Sequence, residues 1–466
     1  MNALIRFTER GGFFTNKDVI NYFSKTIYEH NNNYFYNTNT IKKIEKDDIL
    51  YFSFKNKIVA VAQFTGKFKF KEEKKPFMYG YKIKNIKSFE EPIPLNNKLF
   101  RGRAVTYVRN DEQREELKKI PYSLNKTEEI AIKSLFIDNF TLFRNEEFNF
   151  SKGINIFIGE NSTGKSQILK LLYSIIKTNN EENRFNEGIV EELKGVFRPT
   201  DREIKNLISF GKKKTSIKID LSAYSIDFNF TENSKYEVNV KEPLKYYKRE
   251  IIFIPAKEIL SHFKGFIATY NKREIAFDKT TNDLALELDL PLLKEQSLIA
   301  EKNQELESIL EGEIIQLNGE FYLRRFKDKK LVVSSMMAEG LRKIGTISYL
   351  LKNGALTKDS ILVWDEPESN LNPKLIKDIV DLLLFLESLG IQIFIATHNY
   401  FMIKYFDIRK KEKDELELKF ISLFKEDGEL KSETSNDIYE LENNPIIDEM
   451  ENVYLAGSKL FYKGKQ

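Results

Sequence analysis

The chain has no cysteine, and it holds only one tryptophan and three histidines among 466 residues. Without cysteine there is no disulfide and no thiolate metal site, and a reducing cytoplasm is the simplest setting. Long apolar runs are also missing. None reaches the roughly 18 uninterrupted residues that a membrane-spanning helix requires. The longest apolar region, Leu382 to Ile403, is broken by Glu387, Ser388, Gly390, His398 and Asn399. The opening MNALIRFTERGG lacks the apolar core of a signal peptide. These absences exclude a disulfide-stapled scaffold, a cysteine-ligated zinc protein and an integral helical membrane protein. What remains, 41% hydrophobic and 31% charged residues, is the balance of a soluble globular chain. Its length allows roughly two to four domains and a sizeable core.

The net charge of +4 is unevenly spread. Residues 1–130 hold 25 Lys+Arg against 16 Asp+Glu, while the rest of the chain holds 49 against 54. A basic N-terminal part either meets an anionic partner or is a solvated basic face. That part is also built differently. Residues 1–108 alternate short apolar runs with turns, and Ile49–Phe54, Lys57–Phe64 and Tyr79–Ile86 read as strands. Residues 109–133, with a charged helical stretch Asp111–Lys119 and then Pro121, read as a linker. From 134 to 466, strands alternate with amphipathic helices, the pattern of an α/β domain.

The most informative segment is Gly159-Glu160-Asn161-Ser162-Thr163-Gly164-Lys165-Ser166. It fits G-x-x-x-x-G-K-[ST] at every fixed position. The glycines let the backbone wrap close to a phosphate chain, and successive N–H groups at the N-terminus of the next helix face the anions. In this pattern Lys165 reaches the terminal phosphates and the Ser166 hydroxyl binds Mg²⁺. The flanks agree: Ile154–Ile158 reads as a buried strand and Gln167–Lys177 as a helix. Gly159 to Gln167 is the expected nucleotide cradle, with ATP and Mg²⁺ as cofactors.

Two further segments carry chemistry. Ile361-Leu362-Val363-Trp364 reads as a buried parallel strand, and Asp365 and Glu366 follow at its C-terminal end, where ligands bind in open α/β sheets. Asp365 is placed to hold the water shell of Mg²⁺, and Glu366 to polarise the attacking water. The plainer reading is a solvated acidic turn. Ile391–Thr397 reads as another apolar strand. His398 at its tip either contacts the γ-phosphate and holds water and Glu366 in line, or is a surface histidine beside Asn399. The long span after Ser166 leaves about 180–330 to a lid or arm, including a helix-like Leu292–Leu310.

The order of P-loop, distant Asp-Glu strand and strand-His resembles that of ABC-class ATPases. Leu135-x-Ile137-x-Asn139-Phe140-x-x-Phe143, Phe148-x-Phe150-x-x-Gly153-Ile154-Asn155 and Glu366-Pro367-Glu368-Ser369-Asn370-Leu371-Asn372-Pro373 resemble the SMC/RecF/OLD-like branch. Transporter ATPases usually carry aspartate where Asn372 stands. Ile254-Pro255-Ala256-Lys257-Glu258 and Phe277-Asp278 resemble the inserted lid of bacterial ATPases of this branch, including those of anti-phage operons. The resemblance covers roughly residues 132–445. It implies an α/β fold, a P-loop ABC-type ATPase head with a helical lid insertion. It also implies a composite site, in which the signature loop of one protomer caps the γ-phosphate bound to another, so that hydrolysis needs a dimer or higher oligomer. The candidate signature is Ala338-Glu339-Gly340. Against L-S-G-G-Q only Gly340 matches: Ala338 has no hydroxyl and Glu339 brings an anion toward an anion, with Arg342 or Lys343 as compensating charge.

In the N-terminal part, Asp47-Asp48-Ile49-Leu50-Tyr51-Phe52, Lys57-Ile58-Val59-Ala60-Val61-Ala62 and Pro92-Ile93-Pro94-Leu95 resemble a small β-rich PUA-like domain of the EVE kind. That resemblance implies a base held in an aromatic pocket beside a basic surface. Candidates for stacking are Phe13, Phe14, Tyr51 and Phe52; candidates for phosphate contact are Arg101, Arg103 and the lysines of 65–75. The alternative is that these aromatics form the core of a small barrel.

The expectation is an ATP-hydrolysing switch that meets DNA or RNA, set in bacterial anti-phage defence with a separate effector protein. Two other readings stay open: a repair or recombination ATPase, and a scaffold that binds ATP and hardly hydrolyses it. Roughly 70 residues follow His398, and neither Ile438–Asn443 nor Asp448–Gly457 offers the acidic cluster of a Toprim nuclease. Cleavage of nucleic acid by this chain is not expected.

Overall fold

The computed structural model describes residues 131–463 apart from 180–184, 223, 242–248, 274, 294–296, 359 and 413–415. Before residue 131 it describes the strands between Ala3 and Tyr107 and a few residues besides. The chain divides into two compact units, Met1–Glu128 and Glu129–Gln466.

The first unit holds β1 (Ala3–Arg6), β2 (Tyr34–Asn37), β3 (Ile49–Phe54), β4 (Lys57–Lys69), β5 (Tyr79–Pro94) and β6 (Val105–Tyr107). They form one sheet in the order β2-β5-β4-β3-β1-β6. β1 and β3 are parallel, while β3, β4 and β5 form an antiparallel meander. Repeated register shifts between β4 and β5 let these long strands curl. All six residues of β3 are buried. Tyr51 packs with Leu4, Ile49, Ile58, Val61 and Leu117, and burial pushes its hydroxyl pKa up. Phe52 is fully buried. Both aromatics belong to the core rather than to an open stacking pocket. Phe13, Phe14, Arg101, Arg103 and the lysine side chains of 65–75 lie outside the described residues.

The second unit is built on a six-stranded, mainly parallel sheet in the order β13-β17-β18-β9-β19-β20. Its strands are β9 (Ile154–Gly159), β13 (Ile251–Ile254), β17 (Ile361–Asp365), β18 (Gln392–Ala396), β19 (Leu418–Glu426) and β20 (Glu429–Ser435). Alternation along the strands feeds two cores. Ile154, Ile156, Ile158, Leu362, Trp364, Ile393 and Ile395 face one. Phe157, Ile361, Val363, Phe394 and Ala396 face the other. A parallel sheet covered on both faces reads as continuous apolar runs, which is why these strands are legible in the sequence.

On the second face lie α1 (Lys165–Asn179), α2 (Phe185–Phe197) and a five-stranded antiparallel sheet in the order β12-β11-β10-β7-β8. That sheet comprises β7 (Ile132–Phe140), β8 (Phe143–Asn149), β10 (Lys214–Leu221), β11 (Ser225–Thr231) and β12 (Asn239–Val240). The first face is packed by the later helices, among them α6 (Glu339–Asn353), α7 (Pro373–Ser388) and α8 (Tyr400–Glu412).

The span 180–330, expected to be lid or arm, is mixed. β10–β12 complete the antiparallel sheet, and the period-two burial of β10 and β11 shows why: one face of each is core. β13, fully buried, pairs with β17 at the edge of the central sheet, so Ile254 ends a core strand. The inserted elements are α3 (Phe266–Lys272), α4 (Lys279–Leu288), α5 (Ser297–Leu310) and a small sheet of β14 (Gly312–Leu317), β15 (Glu320–Arg325) and β16 (Leu331–Val333). Asp278 caps α4, its carboxylate accepting from the Thr281 N–H. The last element, α9 (Pro445–Lys463), extends through Asp448–Gly457. No helix among the described residues is long and apolar enough to cross a membrane.

Candidate nucleotide site

Three strands of the central sheet end at one edge. β9 ends at Gly159, β17 at Asp365 and β18 at Ala396, with Asp365 beside Ala396 and Ala396 beside Phe157. The strands themselves are buried throughout, so the chemistry begins where the apolar runs stop.

The loop after β9 turns on Gly159 (φ 144°), Ser162 (φ 64°) and Gly164 (φ 89°). A Cβ on Gly159 would lie 2.2 Å from the Leu423 carbonyl oxygen, and one on Gly164 would lie 2.6 Å from the Phe143 ring. Thr163 Oγ1 donates to the Glu160 carbonyl at 2.8 Å. Lys165 Nζ donates to the carbonyls of Gly159 and Glu160 at 2.8 and 2.7 Å. Burial lowers the Lys165 pKa, and the charges of Glu366, Asp365, Glu368 and Glu160 oppose that shift. Glu160, Asn161 and Ser162 are exposed at the rim. Gln167 has its side-chain oxygen buried with no hydrogen-bond partner among the described residues. α1 starts at Lys165 with no acidic residue in its first turn, which leaves its amide end positive.

Ser166 Oγ donates to Asp365 Oδ1 at 3.0 Å across the sheet edge. The Asp365 pKa is pushed up to about 6, chiefly by burial; the Glu366 charge adds to this and the Ser166 bond opposes it. A hydroxyl and a carboxylate oxygen facing each other are the donors that fit Mg²⁺ when phosphates and water complete its shell. Among the described residues no group of three or more His, Cys, Asp or Glu offers an all-protein cage.

Glu366 has a left-handed backbone, φ 46°, rare for a residue with a long side chain. Its N–H donates to the Ala396 carbonyl at 3.0 Å, and its Oε1 lies 3.5 Å from His398 Nδ1. Glu368 supports His398 from behind. Its Oε1 accepts from Thr397 Oγ1 at 2.6 Å and from the His398 N–H at 3.2 Å. Glu368 is buried, which raises its pKa, and its other oxygen has no hydrogen-bond partner among the described residues.

Ala338-Glu339-Gly340 stands at the start of α6, where Ala338 is an N-cap without a side-chain bond. This segment is tied to the 366–371 turn of its own chain. A Cβ on Gly340 would lie 2.5 Å from Leu371 Cδ2. Both Glu339 oxygens accept from Asn370 Nδ2 at 3.0 Å. Lys343, buried, donates to the Glu366 carbonyl at 3.2 Å, the Ser369 carbonyl at 2.9 Å and Ser369 Oγ at 2.5 Å. Burial lowers its pKa. Arg342 pairs with Glu258 at 2.6 Å. Both cations are bonded within the same chain, and Lys343, one turn along α6 from Glu339, also feels the Glu339 charge, which opposes the fall in its pKa.

The structure therefore brings together Gly159–Ser166, Asp365, Glu366 and His398. Ala338–Gly340 reaches that cluster through Lys343 and the 366–371 turn. Lys343, Glu368 and Phe143 were not foreseen in these roles. Lys343 did leave a signal, a lysine on the apolar face of a helix between Gly340 and Ile344 and Ile347. Glu368 left none that separates it from a solvated acidic turn.

This sheet edge, with its flanking antiparallel sheet, has the layout of an ABC-type nucleotide-binding head. The chain belongs to the family described as "AAA domain, putative AbiEii toxin, Type IV TA system", whose sequence model matches residues 154–404, just over half of the chain. It is similar to the DNA replication and repair protein RecF of Streptococcus gordonii, 29% identical over 90 residues, covering 19% of this chain and 23% of that protein. It is also similar to the RecF of Clostridium acetobutylicum, 27% identical over 154 residues, covering 30% and 42%. The chain thus spans less than half the length of these curated relatives. Among solved structures, it is similar to the SMC head domain from Thermotoga maritima, with 14% identity and TM-score 0.38, covering 66% of this chain and 99% of that one. The SmcHead bound to the C-winged helix domain of ScpA gives 15% identity and TM-score 0.43, covering 66% and 98%.

Proposed function

We propose that this chain hydrolyses ATP at a site completed by a second copy, and uses the cycle as a switch in nucleic-acid transactions. The observation that carries this reading is the Ser166–Asp365 hydrogen bond with Glu366 and His398 beside it. Glu366 takes a proton from water as that water attacks the γ-phosphorus, the bond to the bridging oxygen breaks, and ADP and phosphate leave. His398 keeps Glu366 and the water in line. Lys165 and the amide end of α1 offset the phosphate charge. Mg²⁺, held by Ser166 and Asp365, supplies Lewis-acid charge when bound. ATP draws two copies together with Ala338–Gly340 of one over the γ-phosphate of the other, and hydrolysis releases them.

The setting we assign is bacterial anti-phage defence with a separate effector protein. Its support is the family's description, which names a toxin and a type IV toxin–antitoxin system. The N-terminal unit, from its resemblance to the EVE kind, is assigned the binding of a DNA or RNA base. A second reading, a repair or recombination ATPase, is favoured by the RecF relatives. ATP turnover of the wild type and Glu366→Gln tests these readings. Turnover that is lost in Glu366→Gln, with ATP trapped in an oligomer, supports the switch. Strong stimulation by DNA with no partner protein moves the assignment to repair. Absence of turnover in both proteins leaves a scaffold and overturns the hydrolytic reading.

A further inference from the structure

Phe210 is 95% exposed, more than any other large apolar side chain among the described residues. It does not sit on a loose loop. Lys212 N–H donates to the Ser209 carbonyl at 3.0 Å, and within this turn only Gly211 has positive φ, 77°. That is the type II pattern, with Phe210 at the corner. Ser209 anchors the turn from below: its hydroxyl donates to the carbonyls of Thr141 at 3.0 Å and Phe143 at 3.1 Å, and its N–H to the Asn139 carbonyl. The ring is thus held out in water by a turn whose own base is buried.

Cations surround it. Lys212, Lys213 and Lys214 follow directly, all exposed, and none has an ion pair among the described residues. Lys214 pairs in register with Thr231, and the Glu232 N–H donates to the Lys213 carbonyl. This brings the segment carrying Lys235 and Tyr236, the latter 78% exposed, to the same end of the sheet. Of the nearby acids, Glu203 is paired with Lys205 and also feels the Lys235 charge, Glu237 contacts the Asn186 amide, and Glu232 is exposed next to Lys213, so the lysines outnumber the acids without excluding them. Phe210, Tyr236 and Leu142 of the adjoining 141–143 turn, 45% exposed, stand among lysines and offer flat apolar faces beside cationic charge. Stacked bases with phosphates alongside match both features.

We infer that this end of the antiparallel sheet binds single-stranded nucleic acid, with Phe210 stacking on unpaired bases and Lys212–Lys214 and Lys235 contacting phosphates. The inference rests on the nucleic-acid part of the proposed function, and it places a contact on the ATPase head as well as on the N-terminal unit. It also lies one step from the nucleotide loop, because the Phe143 carbonyl that holds Ser209 belongs to the residue whose ring backs Gly164.

The test is fluorescence anisotropy of the full chain with labelled single-stranded DNA and RNA oligonucleotides, the matching duplexes, and anionic phosphatidylserine vesicles. The wild type is expected to bind single strands more tightly than duplex. Phe210→Ala is expected to weaken single-strand binding by on the order of tenfold, at an unchanged melting temperature because the ring packs on nothing. Replacing Lys212, Lys213 and Lys214 by Ala is expected to lower the slope of log affinity against log salt by about 2. If the wild type binds single strands and these variants bind equally well, the surface is wrong and the nucleic-acid reading survives. If the wild type binds no oligonucleotide, both fall. Vesicle binding that is lost in Phe210→Ala, without oligonucleotide binding, would assign the surface to membranes and overturn the inference.

Discussion

The strand ends of the candidate nucleotide site and the Ala338–Gly340 segment are held by different means. At the sheet edge, Gly159, Asp365 and Ala396 are placed by parallel strand register, and the loop between Gly159 and Gly164 is shaped by backbone that has no room for a Cβ. At the start of α6, position depends on side chains: Gly340 against Leu371, Glu339 on Asn370, Lys343 on Ser369 and Glu366. A backbone-built half tolerates sequence drift around a few fixed glycines. A half built from side chains moves as one body with whatever those side chains grip, here the turn that carries Glu366.

Substitutions on each side sharpen this contrast. The largest effect is expected from Lys165→Ala, which removes the cation of the loop: ATP affinity falls by at least about 100-fold by calorimetry, consistent with loss of charge-assisted bonds to phosphate. Unchanged affinity would remove the nucleotide assignment. Glu366→Gln should lower turnover by roughly 10² to 10⁴, the usual size of a general-base contribution, while ATP binding persists.

Asp365→Asn comes third and acts on stability. A carboxyl whose folded pKa, about 6, lies above the ordinary 3.8 favours folding only while protonated. That contribution is full below pH 3.8 and lost as pH rises through 6. Asn carries no charge, so the nucleotide-free protein should gain up to about 3 kcal/mol at pH 7 and nothing near pH 3.5. Thermal melts at both pH values check this. Lys343→Met should destabilise by about 1–3 kcal/mol through the acceptors left unpaired, and reduce turnover with ATP affinity near that of the wild type. Equal losses in both would deny Lys343 its positioning role. The smallest effect belongs to Gly340→Ala, under about 1 kcal/mol, because the new Cβ meets the flexible tip of Leu371 and the helix gains propensity.

The sequence showed the backbone-built half, and of the other it showed the segment Ala338–Gly340 but not the contacts that hold it. Ile154–Ile158, Ile361–Trp364 and Ile391–Thr397 are apolar runs that a covered parallel sheet demands, and the residues that follow them are polar in a recognisable order. β13 was misplaced into the lid because a four-residue strand has no periodicity of its own, and only pairing with β17 makes it core. β10 and β11 were absorbed into the insertion because nothing local says which sheet an alternating strand joins. Tyr51 and Phe52 carried two readings until the burial of β3 decided for the core. The bonds of Lys343 and Glu339 cross 23 to 31 residues and depend on a turn whose shape only the fold supplies.

The left-handed Glu366 and its crowding with Asp365 and Glu368 have a consequence for the protein's lifetime. A strained backbone and clustered, partly desolvated carboxylates are each unfavourable to the folded chain, and are kept where activity needs them. On the proposed function, a bound nucleotide with its cation would offset them, so the ligand would act as a folding partner as well as a substrate. Copies deprived of ATP are then expected to open and be degraded first, so that the energy charge of the cell sets how many remain. Protease half-lives with and without Mg·ATP would measure that difference, and equal half-lives would refute it.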